Sequence, residues 1–220
     1  VSRRPFVKVC GITTRNDAEC AAGLGADALG FVFWPKSPRY IPPAAARRII
    51  DGVGPLTTAV GIFVDARVDE IHRAVLDAQI DVVQLHGDEP RELLSQLTRP
   101  VIRAVGLRAA GPVTPIESLP PDVTVLLDVH DPRRRGGTGR QVDWAVAARW
   151  ARQRRVILSG GLRPDNVRTA IRQVAPYGID VSSGVESTPG TKDAGKLRAF
   201  FTEIEAERGS AATDVEVSHD

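Results

Sequence analysis

The chain has 220 residues, 42% hydrophobic and 25% charged, a balance that suits one globular domain with a full core. The formal net charge is only +2 and the arginines are scattered apart from Arg133-Arg134-Arg135, so no nucleic-acid stripe is expected, although that cluster would attract a small anion. No run approaches the ~18 consecutive apolar residues of a membrane span, and the N-terminal stretch lacks the basic and apolar regions of a signal peptide, so a cytoplasmic protein away from membranes is expected.

Short apolar, β-branched runs alternate with segments of helical period, and the pair recurs eight times. The predicted strands are 6–10, 28–33, 58–64, 81–86, 101–105, 123–128, 156–159 and 179–182. Helices are expected near 14–24, 43–52, 67–78, 89–98, 113–118, 143–153, 164–175 and 193–207. Asp65 is a candidate cap for the third helix and Pro164 suits the first turn of the seventh, while Pro112, Pro115, Pro120 and Pro121 interrupt the fifth. Strands apolar on both faces, such as Val123 to Leu127, suit a parallel sheet covered by helices. Eight βα units predict a single closed (β/α)8 barrel of the TIM type over residues 1–208, compact beside the ~250 residues typical of that fold. A doubly wound dinucleotide fold is disfavoured, because no Gly-x-Gly-x-x-Gly follows the first strand. Residues 209–220 are polar and aperiodic and are expected to be a disordered tail.

In such a barrel the chemistry lies at the C-terminal ends of the strands, where Cys10, Asp65, His86 and Asp128 all fall. Cys10 is followed by Gly11, which lets the backbone turn and opens the thiol to the barrel mouth; Cys20, within Ala18-Glu19-Cys20-Ala21-Ala22, reads as helix packing. Asp128 precedes a long segment, 129–142, expected to overhang the mouth as a lid, and its carboxyl donates a proton at neutral pH if burial raises its pKa above the usual ~3.9. His86 is a candidate for binding substrate or orienting a loop. Ser159-Gly160-Gly161-Leu162 after the seventh strand and Asp180-Val181-Ser182-Ser183-Gly184-Val185 after the eighth match the recurring phosphate cradle of such barrels, with a short helix expected near Ser183. The loop Trp34-Pro35-Lys36-Ser37-Pro38-Arg39-Tyr40 carries Arg39, whose planar fork can hold a carboxylate with two bonds. The two cysteines and four histidines show no metal-ligand spacing, so neither a metal nor a cofactor is expected.

Taken together these segments resemble phosphoribosylanthranilate isomerase, a cofactor-free family of tryptophan biosynthesis. The likeness runs from Lys8-Val9-Cys10-Gly11-Ile12-Thr13 through Gly30-Phe31-Val32-Phe33, Gly61-Ile62-Phe63-Val64, Gln84-Leu85-His86-Gly87, Leu127-Asp128, Gly136-Gly137-Thr138-Gly139 with Asp143-Trp144, and both glycine loops to about Lys196. The resemblance implies an Amadori rearrangement of N-(5-phosphoribosyl)anthranilate to 1-(2-carboxyphenylamino)-1-deoxyribulose 5-phosphate. It also implies Cys10 as general base, with Lys8 or the incoming positive iminium favouring the thiolate, and Asp128 as general acid. Arg39 would hold the anthranilate carboxylate, His86 would face the substrate, and Gly160, Gly161, Ser183 and Gly184 would hold the phosphate. The expected partner is a small phosphorylated substrate, with the protein a monomer or homodimer. Two rivals on the same fold fit less well: indole-3-glycerol phosphate synthase needs a catalytic lysine at the mouth, and the histidine-pathway isomerase normally places an aspartate where Cys10 stands. A non-catalytic phosphate-binding barrel would need neither Cys10 nor Asp128. Val129-His130-Asp131-Pro132-Arg133-Arg134-Arg135 is more charged than the family pattern.

Overall fold

The computed structural model describes residues 4–108, 111–129 and 142–216, with side chains described to residue 207. Eight strands form the framework: β1 (Phe6–Cys10), β2 (Ala28–Val32), β3 (Thr58–Phe63), β4 (Val82–Leu85), β5 (Val101–Arg108), β6 (Thr124–Val129), β7 (Val156–Leu158) and β8 (Gly178–Val181). Each is parallel to its predecessor, and β8 returns to pair with β1, with Lys8 opposite Asp180, so the sheet closes. The expected (β/α)8 barrel is the fold observed. Helices α1 (Arg15–Gly23), α2 (Pro43–Val53), α3 (Val68–Ala78), α4 (Trp144–Ala151), α5 (Val167–Val174) and α6 (Ala194–Glu216) cover it. A hairpin of β9 (Glu186–Thr188) and β10 (Thr191–Lys192) stands between β8 and α6.

Alternation along each strand sorts the residues. Val7 and Val9 on β1, Val125 and Leu127 on β6, Val156 and Leu158 on β7, and Ile179 and Val181 on β8 face the helices and join one core with Ala170, Leu197 and Phe200. The opposite parity fills the barrel. There Ala28, Val60, Ile62, Ile102, Leu126 and Ile157 form a separate inner cluster, with Cys10 packed at its edge. A fully buried side chain such as Phe200 in the outer core or Leu126 in the inner cluster contributes roughly 1.5–3 kcal/mol, so both layers stabilise the frame that carries the site.

Two expected helices are short 3-10 turns. Arg91–Gln96 replaces the helix expected at 89–98, because Pro90 and Pro100 bracket the segment and the residue before a proline resists the α conformation. Ile116–Ser118 replaces the one at 113–118, in a run of prolines that also places Gly111–Pro112 antiparallel to the end of β5. Helix α5 proper begins at Val167; Pro164 lies in the turn before it, where Arg163 O accepts from Asn166 N and Val167 N. Helix α6 runs past the expected end at 207 to Glu216, into the 209–220 stretch expected to be a disordered tail; once a helix is nucleated, an Ala-containing stretch extends it at little cost. Asp65 does not cap α3. Its left-handed backbone (φ 51°) turns the chain early, and Arg67 is the N-cap instead, its N–H donating to Glu70 Oε2 at 2.9 Å. Among the described residues, no helix is long and apolar enough to cross a membrane.

Candidate active site

A cavity of about 330 Å³ opens at the C-terminal ends of the strands and is lined by Cys10, Arg39, His86 and Asp128, with Ser159, Asp180 and Ser182 beside them. Four residues expected to act on substrate therefore share one space.

Cys10 is the last inward position of β1, and Lys8, two residues earlier, faces the same way one layer deeper. Lys8 is fully buried and pairs with Asp180 at 2.8 Å; Ser159 Oγ donates to the other Asp180 oxygen at 3.3 Å. Burial alone would lower the Lys8 pKa, but Asp180, and secondarily Cys10, more than reverse this and leave it raised. Burial pushes the Cys10 thiol up; Lys8 and Lys192 pull it down and Asp180 adds to the rise, with a net increase. The thiol has room because Gly30 lies opposite it on β2: a Cβ there would stand 2.9 Å from Cys10 Sγ.

Asp128 is nearly buried at the end of β6. Its Oδ1 accepts from Val129 N at 2.7 Å, and its Oδ2 is 3.5 Å from His86 Nε2. Gln84 Nε2 is 2.8 Å from His86 Nδ1; with Gln84 donating, the imidazole hydrogen sits on Nε2 and faces Asp128. His86 thus contacts the acid candidate and also lines the cavity.

The loop after His86 is fixed from the other side of the sheet. Arg103, on the outward parity of β5, forms a buried ion pair with Glu89 and donates to the carbonyls of Gly87 and Glu89. Glu89 accepts in turn from the N–H groups of Asp65 and Gly87. Asp65, a strand-end candidate, does not line the cavity; its carboxylate accepts from Asp88 N at 2.6 Å and holds this loop.

Arg39 lies over Gly11, where a Cβ would stand 2.5 Å from Arg39 Cδ, so Gly11 (φ 76°) both turns the chain and admits the stem. Its guanidinium is bound by Glu186 through Nε (2.8 Å) and Nη2 (2.6 Å). Burial alone would lower the Arg39 pKa; Glu186 outweighs it and raises it. Burial would raise that of Glu186, but Arg39 and Lys192 outweigh it and hold the carboxyl below its ordinary range. Lys192 is driven down by burial, which outweighs Glu186.

Gly160 and Gly161 follow Ser159 with φ of 82° and 68°, consecutive left-handed residues that a side chain would strain. Among the described residues, neither N–H donates to a backbone carbonyl. Ser183 and Gly184 begin a three-residue 3-10 turn, Ser183–Val185, too short to act as a helix end, so backbone N–H groups and not a macrodipole carry any anion site here. The two loops touch closely: a Cβ on Gly184 would lie 1.9 Å from Leu162 O.

Residues 130–141, including the arginine cluster and most of the expected lid, lie outside the described residues. Sequence reasoning did not single out Asp180, Ser159, Gln84, Glu186 or Lys192 as site residues. Their signal was parity for the first three, which alternate in phase with Asp128 and His86, and for Lys192 the rarity of lysine in an arginine-rich chain. Among the described residues, no group of three or more His, Cys, Asp or Glu is placed to hold a metal.

The family model for N-(5'phosphoribosyl)anthranilate (PRA) isomerase matches residues 7–203, which include Cys10, Arg39, His86, Asp128 and both glycine loops. The chain belongs to this family. An N-(5'-phosphoribosyl)anthranilate isomerase of Geobacter sp. (strain M21) is 49% identical over 202 residues, covering 90% of this chain and 96% of the relative. The crystal structure of phosphoribosyl anthranilate isomerase from Thermus thermophilus superposes with a TM-score of 0.83 at 42% identity, over 91% of this chain and 98% of that one. A further family structure, solved with reduced 1-(o-carboxyphenylamino)-1-deoxyribulose 5-phosphate, gives a TM-score of 0.79 at 38% identity and covers 92% and 99% of the two chains.

Proposed function

We propose that this protein isomerises N-(5-phosphoribosyl)anthranilate to 1-(2-carboxyphenylamino)-1-deoxyribulose 5-phosphate in tryptophan biosynthesis, with Cys10 as general base and Asp128 as general acid. The observation that carries the reading is the convergence of a thiol, a buried carboxylate and a guanidinium on one cavity beside the two glycine loops. Asp128 donates its proton to the ribose ring oxygen while the amine lone pair forms the C1'=N bond and the C1'–O bond breaks. Cys10, as thiolate, removes the proton from C2', giving an enolamine that tautomerises to the ketone. The reaction is redox-neutral overall and takes no co-reactant, which agrees with an enzyme that needs neither metal nor cofactor.

Arg39 holds the anthranilate carboxylate, and the backbone of Gly160, Gly161, Ser183 and Gly184 holds the phosphate. With both ends anchored, the ribose lies between base and acid, and binding energy is spent on orientation. His86, 3.5 Å from Asp128 and lining the cavity, supports the acid. The unliganded thiol, raised by burial, is mostly protonated; the cationic iminium formed beside it favours the thiolate at the step that needs it. The catalytic unit is one barrel domain over 1–208 with a tail at 209–220, acting in the cytoplasm as a monomer or homodimer. Phosphoribosylanthranilate made in place from anthranilate and phosphoribosyl pyrophosphate provides the test. Its fluorescence decays on addition of the protein, without metal or nucleotide, if the reading is right. An unchanged signal with folded protein rejects this substrate.

A further inference from the structure

Arg39 does not approach a ligand with its whole guanidinium. The Nε–Nη2 edge is committed to Glu186 by two parallel hydrogen bonds of 2.8 and 2.6 Å, the bidentate geometry in which arginine binds carboxylates most firmly. The main chain of Arg39 is held by its backbone N–H on Ser37 Oγ (3.1 Å), and its stem lies against Gly11. Glu186 is itself held: its Oε1 also accepts from Lys192 Nζ at 2.9 Å and from Gly190 N at 3.3 Å, and Lys192 continues to the carbonyls of Cys10 and Ser182. Two cations thus meet one carboxylate, and one positive charge is left over beside Cys10. Among the described residues, Arg39 Nη1 makes no hydrogen bond.

We propose that Glu186, backed by Lys192, is a positioning residue for carboxylate recognition: by occupying one edge of Arg39 it presents Nη1 and the second Nη2 hydrogen to the substrate's aromatic carboxylate. The proposal rests on the reading of Arg39 given under Proposed function. Sharing the fork is favoured over displacement, because Glu186 is buried with its side chain only 4% exposed, and a substrate that displaced it would leave a desolvated carboxylate with fewer partners. A guanidinium already held in place also loses less freedom on binding than a mobile one. Selection for a substrate with a carboxylate on its ring therefore depends on the β9–β10 hairpin as well as on the loop that carries Arg39.

The test is calorimetric binding of the reduced product analogue, and of the same compound lacking its carboxylate, to the wild type, Glu186→Gln, Arg39→Ala and the double variant. We expect Glu186→Gln to weaken the carboxylated ligand at least tenfold and to leave the other within twofold. The double variant should bind no more weakly than Arg39→Ala alone, and in turnover KM should rise at least tenfold with a smaller fall in kcat. Equal losses for the two ligands, or additive losses in the double variant, would overturn the proposal. If Glu186→Gln does not fold, Arg39→Lys decides. A point charge captured by Glu186 has no second edge to offer, so discrimination between the ligands should fall to the Arg39→Ala level; wild-type discrimination would refute the proposal. A distinct result, Arg39→Ala binding both ligands as the wild type does, would overturn the carboxylate reading itself.

Discussion

Lys8 and Cys10 are two residues apart on one strand and so face the same interior, which sets a fully buried ammonium beneath the thiol. Because burial raises the thiol against the pull of Lys8, the native protein binds this proton more tightly than an ordinary cysteine does. Alkylation of Cys10 by iodoacetamide, with the Cys10→Ala variant as background, should accelerate with pH through a midpoint above 9.0, and a midpoint below that value would contradict the electrostatic account. Lys8→Met should move the midpoint higher still. The same change leaves Asp180 charged and without its ion-pair partner in the barrel interior, so it should destabilise the fold by about 3–5 kcal/mol in urea titration, a loss that adding Asp180→Leu should partly restore. A Lys8→Met protein as stable as the wild type would show that the pair contributes little. The sequence made the placement of Cys10 and Asp128 at strand ends legible, yet it did not make Lys8–Asp180 legible as a pair, since they are 172 positions apart and meet only when β8 closes on β1.

At the scale of elements, the site is a set of loops pressed together at the barrel mouth. The glycine loop after β7 and the turn after β8 approach so closely that Gly184→Ala must push a methyl into Leu162 O. That variant should raise KM for the phosphorylated substrate, and the Kd for inorganic phosphate, by about tenfold or more while the barrel stays folded; unchanged phosphate affinity would separate this contact from the anion site. Both glycine loops were readable as turns after the last two strands, and the left-handed Gly160 and Gly161 bear out that backbone reading; the phosphate role stays with the proposal. The helix expected near Ser183 shrank to a 3-10 turn, and the segments around Pro90 and Pro115 did the same, because prolines at both flanks leave too few residues to propagate an α-helix. The Glu186 contact to Arg39 was not readable at all: it joins residues 147 positions apart through a hairpin whose pairing no local pattern announces.

The whole molecule is a closed sheet whose interior carries polar layers at one end, and those layers link its stability to pH. Glu186 titrates below its ordinary 4.5 in the folded chain, so the unfolded chain takes up the proton first as pH falls. Its contribution is present above about pH 4.5 and is lost as the pH falls through the lower native value. Urea denaturation should therefore show stability declining on acidification from pH 5 toward 3, and the decline should be shallower in Glu186→Gln; an identical slope in that variant would remove Glu186 from the acid response. The eight-fold βα pattern made the closed barrel predictable from strand count and spacing, because every parallel strand needs a crossover and eight of them can leave no edge. Bringing Cys10, Arg39, His86 and Asp128 around one cavity required the closure itself. The most direct test of the central claim compares Cys10→Ala and Asp128→Asn with the wild type for phosphoribosylanthranilate turnover and for binding of the reduced product analogue. Each variant should lose turnover by 10³-fold or more, the scale of an essential acid or base, with analogue affinity within about threefold of wild type. Turnover near the wild-type rate in either folded variant would contradict the assignment of base and acid to these two residues.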